Sequence, residues 1–111
     1  MKTNSTEVHL GGRITKPAHQ VLLLRSEVNY SHIYMRNGDH YIVATTLKTL
    51  EERLKDHGFW RINKSEMVNL SAARILKNQG MVKVKNHKPM KISRRKRQNM
   101  SVMLHSQAQA V

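Results

Sequence analysis

The sequence predicts a mainly β domain, α+β at the margin, in which antiparallel strands are accompanied by one Leu-rich helix and a short C-terminal helix. Short apolar segments of strand length recur along the chain, and turn sequences containing Asn and Gly separate them. One segment shows a clear apolar repeat of helical period. The 111 residues are enough for a single domain. We expect it to span residues 1–111, with its core at about 8–104 and flexible ends at 1–7 and 106–111.

The first half of the chain carries the clearest strand signals. The apolar run at 21–24 is typical of a buried strand. Further on, Asn37-Gly38 separates two strand-like segments, and this pair favours a two-residue type I′ turn. The register that such a turn fixes pairs three sets of residues across the strands: Arg36 with Asp39, Tyr34 with Tyr41, and Ile33 with Ile42.

A helix is predicted after this hairpin. Thr45 and Thr46 are suitable N-caps, and Gly58 is expected to end the segment. Glu51 and Lys55, four residues apart, are expected to pair on its exposed side. Three leucines recur at helical spacing and should face the core: Leu47, Leu50 and Leu54.

The second half returns to strands and ends in a helix. Strands are predicted at 59–62, 67–70, 74–77, 81–85 and 90–92, with an irregular stretch at 63–66. The segments at 74–77 and 81–85 should form an antiparallel pair around 78–80, with Val82 and Val84 facing inward. Ser93 is a candidate cap for a last helix with an apolar stripe at Met100, Met103 and Leu104.

Positive charge is concentrated in the second half of the chain. The formal net charge is +13, from 20 Lys and Arg against 7 Asp and Glu. Residues 1–55 hold 8 basic and 5 acidic residues (+3), whereas residues 56–111 hold 12 and 2 (+10). Such asymmetry favours a polyanion partner, because cations that neutralise phosphates release condensed counterions. Charge alone leaves a merely soluble basic surface as the alternative.

Several classes of function are disfavoured by missing features. Cysteine is absent, which excludes disulfides and thiolate metal sites. No nucleophile elbow, Gly-rich phosphate loop or His-Glu-x-x-His occurs, so we expect no enzyme and no cofactor. No apolar run has bilayer length and the first residues are polar, so we expect a cytoplasmic protein without a membrane partner.

Two aromatic features are expected to be structural. His32 and His40 lie in the predicted hairpin and could approach one another, but no Cys or carboxylate cluster nearby completes a metal site. Trp60, the only tryptophan, follows Phe59 in an apolar segment. We expect it in the core rather than as a platform for base stacking.

The run Arg94-Arg-Lys-Arg97 is the strongest local concentration of charge. These cations would lie in the first turn of the predicted last helix, where they oppose the positive end of the helix dipole. A bound phosphate would remove that conflict. A solvated helix start or a basic targeting signal would also explain the run.

Three segments in this order resemble the LytTR family of DNA-binding domains. They are Thr46-Leu-Lys-Thr-Leu-Glu-Glu-Arg-Leu54, Gly58-Phe-Trp-Arg-Ile-Asn-Lys-Ser-Glu-Met-Val-Asn69 and Lys91-Ile-Ser-Arg-Arg95. In addition, Val28-Asn-Tyr30 resembles the Gly-Asn-Tyr that opens the family's hairpin. The likeness covers about residues 8–104. It departs from the family pattern at Asn63, where His is common, and at Arg25-Ser26, where Glu-Ala is usual.

The resemblance implies an elongated antiparallel β fold that serves as a bacterial transcription regulator or response-regulator output domain. Such domains bind imperfect direct repeats in promoters, insert loops into successive major grooves and bend the duplex. Implied partners are double-stranded DNA, a second copy on an adjacent repeat, and a receiver domain or sensor kinase system. Bound to DNA, the protein would be nucleoid-associated.

Matching positions give the residues expected to contact DNA. They are Asn29, Ser31 and His32 in the first segment, Asn63, Lys64 and Ser65 in the second, and Ser93, Arg94 and Arg95 in the third, with Arg97 added from the basic run. The residue types fit, since Arg reads guanine bidentately and Lys and Ser suit phosphates. Ser65 and Asn69 could instead hold the irregular segment through backbone bonds, and for Asn69 we favour that role.

Two other classes of function stay open at this stage. A nonspecific binder of DNA or RNA would share the charge, although few exposed aromatics are evident for stacking single-stranded bases. A basic adaptor that binds another protein would need no nucleic acid at all.

Overall fold

The computed structural model describes residues 7–97 and shows a mainly β fold with antiparallel pairing throughout. Its strands are β1 (Glu7–Gly11), β2 (Ile14–Pro17), β3 (Val21–Glu27), β4 (Tyr30–Met35), β5 (His40–Val43), β6 (Phe59–Asn63), β7 (Glu66–Asn69), β8 (Ala73–Leu76), β9 (Met81–Val84) and β10 (Met90–Lys91). The helices are α1 (Leu47–Leu54) and α2 (Arg94–Arg97). The predicted fold class is therefore confirmed. The predicted stripe at Met100, Met103 and Leu104 and the chain ends lie outside the described residues.

A five-stranded sheet forms the middle of the fold, in the order β5-β4-β3-β7-β6. Alternating burial along β4 and β6 shows that each strand presents one set of side chains to each face. The β1–β2 hairpin and α1 cover the first face, and a three-stranded sheet, β10-β9-β8, covers the second. The strands thus pack in layers around two apolar cores.

The helix α1 seals the first core. Thr46 is its N-cap, with the hydroxyl accepting a hydrogen bond from the backbone N–H of Thr49 at 3.3 Å. Its three leucines are buried as predicted: Leu47, Leu50 and Leu54. The expected pair of Glu51 and Lys55 is wrong. Glu51 reaches across to Arg61 of β6 at 3.1 Å, and Lys55 pairs with Glu52 instead.

The second core lies between the central sheet and the three-stranded sheet. The predicted antiparallel pair is present, with Val82 opposite Ile75, and Val82 and Val84 are fully buried. Trp60 is buried here at 6% exposure, so its assignment to the core is confirmed. Gly80 directly precedes β9 and lies in the left-handed region (φ 63°), which lets the 3-10 turn at Lys77–Gln79 reverse the chain.

A β-bulge in β3 lets this strand supply both cores. Val21 pairs with Met35 but Leu23 pairs with Tyr34, so one extra residue is inserted on β3. Val21 consequently faces the first core and Leu23 the second, although an unbroken strand would place both on one face.

The predicted register of the β4–β5 hairpin is wrong by one residue. Tyr34 pairs with His40, Ile33 with Tyr41, and His32 with Ile42. The cause is the loop, which contains three residues rather than two: the backbone N–H of Met35 bonds to the carbonyl of Asp39 at 2.9 Å. Gly38 donates to the carbonyl of Met35 and has φ 96°, as expected of a turn followed by a glycine bulge.

Candidate nucleic-acid interface

Two of the segments predicted to contact DNA are joined by their backbones. The β3–β4 turn (27–30) and the β6–β7 turn (63–66) lie side by side at one end of the strands of the central sheet, because β3 and β7 are antiparallel neighbours. The turns form an edge of the protein there. The N–H of Ser26 donates to the carbonyl of Ser65 at 2.8 Å. Beside this bond, Arg25 Nε lies 3.0 Å from Glu66 Oε2. A backbone bond and an ion pair therefore fix the distance between the two turns.

The third predicted segment reaches the same edge from the other sheet. The N–H of Ser93 donates to the carbonyl of Ile62 at 2.8 Å, and Asn63 Nδ2 donates to the carbonyl of Lys91 at 2.7 Å. The chain leading into α2 is thus attached to the end of β6. We call the β3–β4 turn, the β6–β7 turn and residues 93–97 together the contact edge.

Asn63 organises the β6–β7 turn with its whole amide group. Its Oδ1 accepts from the N–H of Ser65 at 2.8 Å, which forms an Asx turn. Its Nδ2 donates to Glu66 Oε1 at 2.9 Å as well as to Lys91. The amide is therefore occupied within the protein, whereas Lys64, at the tip of the turn, is exposed.

Ser93 begins α2 as predicted. Its hydroxyl accepts from the N–H of Lys96 at 3.2 Å, and its carbonyl accepts from the N–H of Arg97 at 2.9 Å. The two residues that follow the cap, Arg94 and Arg95, are exposed. The segment thus presents two guanidinium groups beyond a bonded turn.

Arg97 differs from the other cations of the basic run because part of its side chain belongs to the fold. Its Nε donates to the carbonyl of Ile92 at 3.1 Å. The guanidinium lies over Gly80, where an added Cβ would approach Arg97 Cζ to 2.8 Å. The glycine therefore makes room for this arginine.

The first segment divides into exposed and buried residues. Asn29 is exposed in the turn, but Ser31 is fully buried and its hydroxyl donates to the carbonyl of Thr45 at 2.6 Å. His32 lies on the second face of the sheet, where Nε2 contacts Glu27 Oε1 and Nδ1 contacts His40 Nε2 at 2.7 Å. The expected approach of the two histidines is confirmed. The contact edge brings together Asn29, Lys64, Ser65, Arg94 and Arg95 as exposed residues.

Sequence reasoning missed two exposed side chains of this turn. Val28 is 90% exposed and Tyr30 is 53% exposed. Val28 also has φ 54°, a left-handed conformation that glycine adopts readily and a β-branched residue does not. A valine at a position where the resembling family has glycine is the sequence signal that could have drawn attention to it.

Positive charge dominates the contact edge because it holds five cations, Lys64 and the run 94–97, against two carboxylates, Glu27 and Glu66. Glu66 bonds to Arg25 and Asn63, and Glu27 contacts His32.

Asn69, at the far end of β7, has the structural role expected of it. Its Nδ2 donates to the carbonyl of Val21 at 2.9 Å, and its Oδ1 accepts from the N–H of Ser71 at 3.0 Å.

An aromatic and imidazole cluster lies on the second face, behind the edge. Tyr34 stacks on His40 with ring centroids 4.5 Å apart, and His87 contacts Tyr34 edge-on at 5.1 Å. Burial lowers the pKa of His87, and the positive charges of Arg25 and Lys83 lower it further. This cluster favours neutral imidazole at His87.

The described residues offer neither a metal site nor a membrane-spanning helix. Within 7–97, no group of three or more His, Cys, Asp or Glu side chains is arranged to hold a metal ion. Over the same part of the chain, no helix has the length and apolarity needed to cross a membrane.

A layered antiparallel fold that presents exposed arginines, a lysine and polar turns along one edge defines a DNA-binding domain built mainly of strands. The family model for the LytTr DNA-binding domain matches residues 12–105, and the chain belongs to this LytTR family. The family is one of DNA-binding domains rather than of catalysts.

A solved structure has the same fold. It is a chain from Bacillus cereus described as the LytTr DNA-binding domain of a response regulator, and it is similar with a TM-score of 0.68 and 16% sequence identity. The match covers 88% of this chain and 94% of that one. The comparison with curated proteins gave no match.

Proposed function

We propose that the protein recognises promoter DNA at imperfect direct repeats and regulates transcription in the bacterial cytoplasm, with the contact edge placed in the major groove. One observation carries the proposal. The three segments that resemble the family's contact segments are far apart in sequence, yet hydrogen bonds between Ser26 and Ser65 and between Ser93 and Ile62 join them into one edge. A preformed array of side chains is what direct reading of base edges requires.

Within this edge we assign the recognition of bases and the binding of phosphates to different residues. Arg95 is our choice for guanine, with Arg94 the second, because a guanidinium can bond to guanine O6 and N7 together. Lys64 has a single ammonium group and suits a phosphate. Asn29 and Ser65 are exposed beside it and can donate to the backbone or to base edges.

Five further predicted contact residues support the array through bonds that their side chains make to other parts of the protein. Ser31, Asn63 and Ser93 use their polar atoms on Thr45, on the β6–β7 turn and on α2 respectively. Arg97 shares its guanidinium with the carbonyl of Ile92, and its remaining N–H groups are available to a phosphate. His32, held against Glu27 and His40, fixes the strand beside the first turn.

Partners follow from the proposed target. A direct repeat places a second copy of the protein on the same duplex in the same orientation. The likeness to a response-regulator domain also supports a receiver domain or sensor kinase as the source of the regulating signal. Neither partner is needed for the recognition itself, which rests on residues of this chain.

Selection of bound duplexes from a random pool tests the proposal directly. We expect the full chain to enrich a repeated motif whose half-sites lie a whole number of helical turns apart. Flat enrichment, with retained binding at low salt, would contradict sequence-specific recognition and would indicate a nonspecific nucleic-acid binder. No binding to any duplex would favour the basic adaptor.

A further inference from the structure

The tip of the β3–β4 turn carries an unusual residue. Glu27 and Tyr30 pair across the strands, so Val28 and Asn29 form a two-residue turn. Val28 takes a positive φ of 54° at the first position of that turn. This conformation crowds the branched Cβ of valine against its own backbone, whereas glycine would adopt it freely.

The side chain of Val28 packs little against the rest of the protein, so packing does not offset the backbone strain. At 90% exposure it is the most exposed of the large hydrophobic residues noted in the described part of the chain. Burial of apolar surface, which ordinarily offsets a strained backbone, is therefore nearly absent here. A residue that is both strained and unpacked indicates a role in contact with a binding partner.

The position of Val28 indicates which surface its side chain would contact. Val28 lies two residues beyond Ser26, whose N–H is bonded to Ser65 of the neighbouring turn. It is therefore an exposed residue at the tip of a turn of the contact edge, next to exposed Asn29. An isopropyl group offers no hydrogen bond, and the apolar group that base pairs present in the major groove is the C5-methyl of thymine.

We infer that Val28 reads a thymine by packing against its C5-methyl group, which makes this residue a specificity determinant of the contact edge. The inference rests on the proposed recognition of DNA and adds one base preference to it. Asn29, beside it, can bond to a neighbouring base edge or phosphate. The turn would thus combine one apolar and one polar contact.

Replacement of single thymines by uracil in the selected duplex tests the inference, because it removes the methyl group and leaves the pairing edge unchanged. We expect the full chain to lose about fourfold in affinity at one or two positions, the factor that corresponds to burial of one carbon group. In Val28→Gly, which suits the positive φ, the same positions should become insensitive to the replacement. Circular dichroism should show that this variant is folded, and Val28→Ala provides a second variant that keeps a side chain at the turn.

Ile42→Thr is the matched control. Ile42 is also exposed, at 57%, but it lies within β5 rather than at the tip of the turn. Its variant should keep the wild-type uracil profile. The inference is overturned if the wild type shows no uracil-sensitive position, if Val28→Gly keeps the same sensitive positions, or if Ile42→Thr loses them too. These outcomes leave the enriched repeat intact, whereas flat enrichment from the random pool overturns the proposed function first and the inference with it.

Discussion

Asn63 Nδ2 lies 2.7 Å from the carbonyl oxygen of Lys91, although the two residues are 28 positions apart in the chain. The same amide also holds Ser65 and Glu66, so one side chain connects the β6–β7 turn to the segment that carries Arg94 and Arg95.

Removing this amide should weaken both the fold and the recognition. We expect Asn63→Ala to lower the free energy of unfolding by about 1–3 kcal/mol, because it removes three hydrogen bonds that each contribute roughly 0.5–1.5 kcal/mol. Urea denaturation measures the loss, and Asn78→Ala, at an exposed position between β8 and β9, is the control. Equal stability of the two variants would contradict the role of Asn63.

Two glycines should differ in their tolerance of alanine. Gly38 has φ 96° with open space around it, so Gly38→Ala should cost about 1 kcal/mol through the backbone alone. At Gly11 an added Cβ would overlap Thr45 Oγ1 and lie 2.8 Å from Val43 Cβ. Gly11→Ala should therefore be the more destabilising, and thermal unfolding of both variants makes the comparison. The reverse order would show that the packing at Gly11 relaxes easily.

Alanine variants at the arginines and at the lysine of the contact edge should affect DNA binding in different ways. Arg95→Ala should cost roughly 1–3 kcal/mol on the selected duplex and much less on random DNA, whereas Lys64→Ala should weaken binding to both. Lys85 is exposed directly after β9, at the end of that strand away from the contact edge, and is the control cation. Lys83 is unsuitable for that purpose, because its Nζ donates to the carbonyls of Val84 and His87. If Arg94→Ala and Arg95→Ala proteins that are still folded keep full discrimination, the base-reading role of this segment is wrong.

Binding should depend steeply on salt. If six to eight phosphates are engaged, the logarithm of affinity should fall with the logarithm of salt concentration with a slope of roughly −5 to −7. Titrations at several salt concentrations measure it. A slope near zero would remove the electrostatic part of the proposal.

Acid should destabilise the domain through His87. Its pKa is lowered in the folded state from an ordinary value of 6.5, so the unfolded chain binds the proton more readily. Stability is therefore complete above the unfolded pKa and declines as the pH falls below about 6.5 towards the folded pKa. His87→Gln should flatten the dependence of the unfolding temperature on pH between 7.5 and 5.5, relative to wild type. An unchanged pH profile would show that other groups carry the effect.

Local patterns predicted the elements well and their partners less well. The three leucines of α1 and the inward-facing valines of β9 follow from periodicity, which is a local property of the chain. The β4–β5 register depended on more distant contacts. Asn37-Gly38 suits both a two-residue and a three-residue loop. Bonds from Arg36 to Gln20 and Ser71 hold the longer one in place.

For the contact edge too, the local segments could be predicted from the sequence but the contacts between them could not. The sequence placed the basic run and the central turn by resemblance, yet nothing local indicates that the Ser26 N–H meets the Ser65 carbonyl. Ser31 was expected at the surface, but it is buried because β4 turns that side chain toward Thr45. The strands β1 and β2 were not predicted, since their residues carry only a short apolar alternation.

The bulge in β3 ties the two apolar cores to a single strand. Because Val21 belongs to one core and Leu23 to the other, loosening either layer disturbs the strand that the other layer needs. The domain should consequently melt cooperatively, without a half-folded species. The far end of β3 leads into the turn that bears Val28 and Asn29, so the spacing of the contact edge should persist for as long as the native state itself survives.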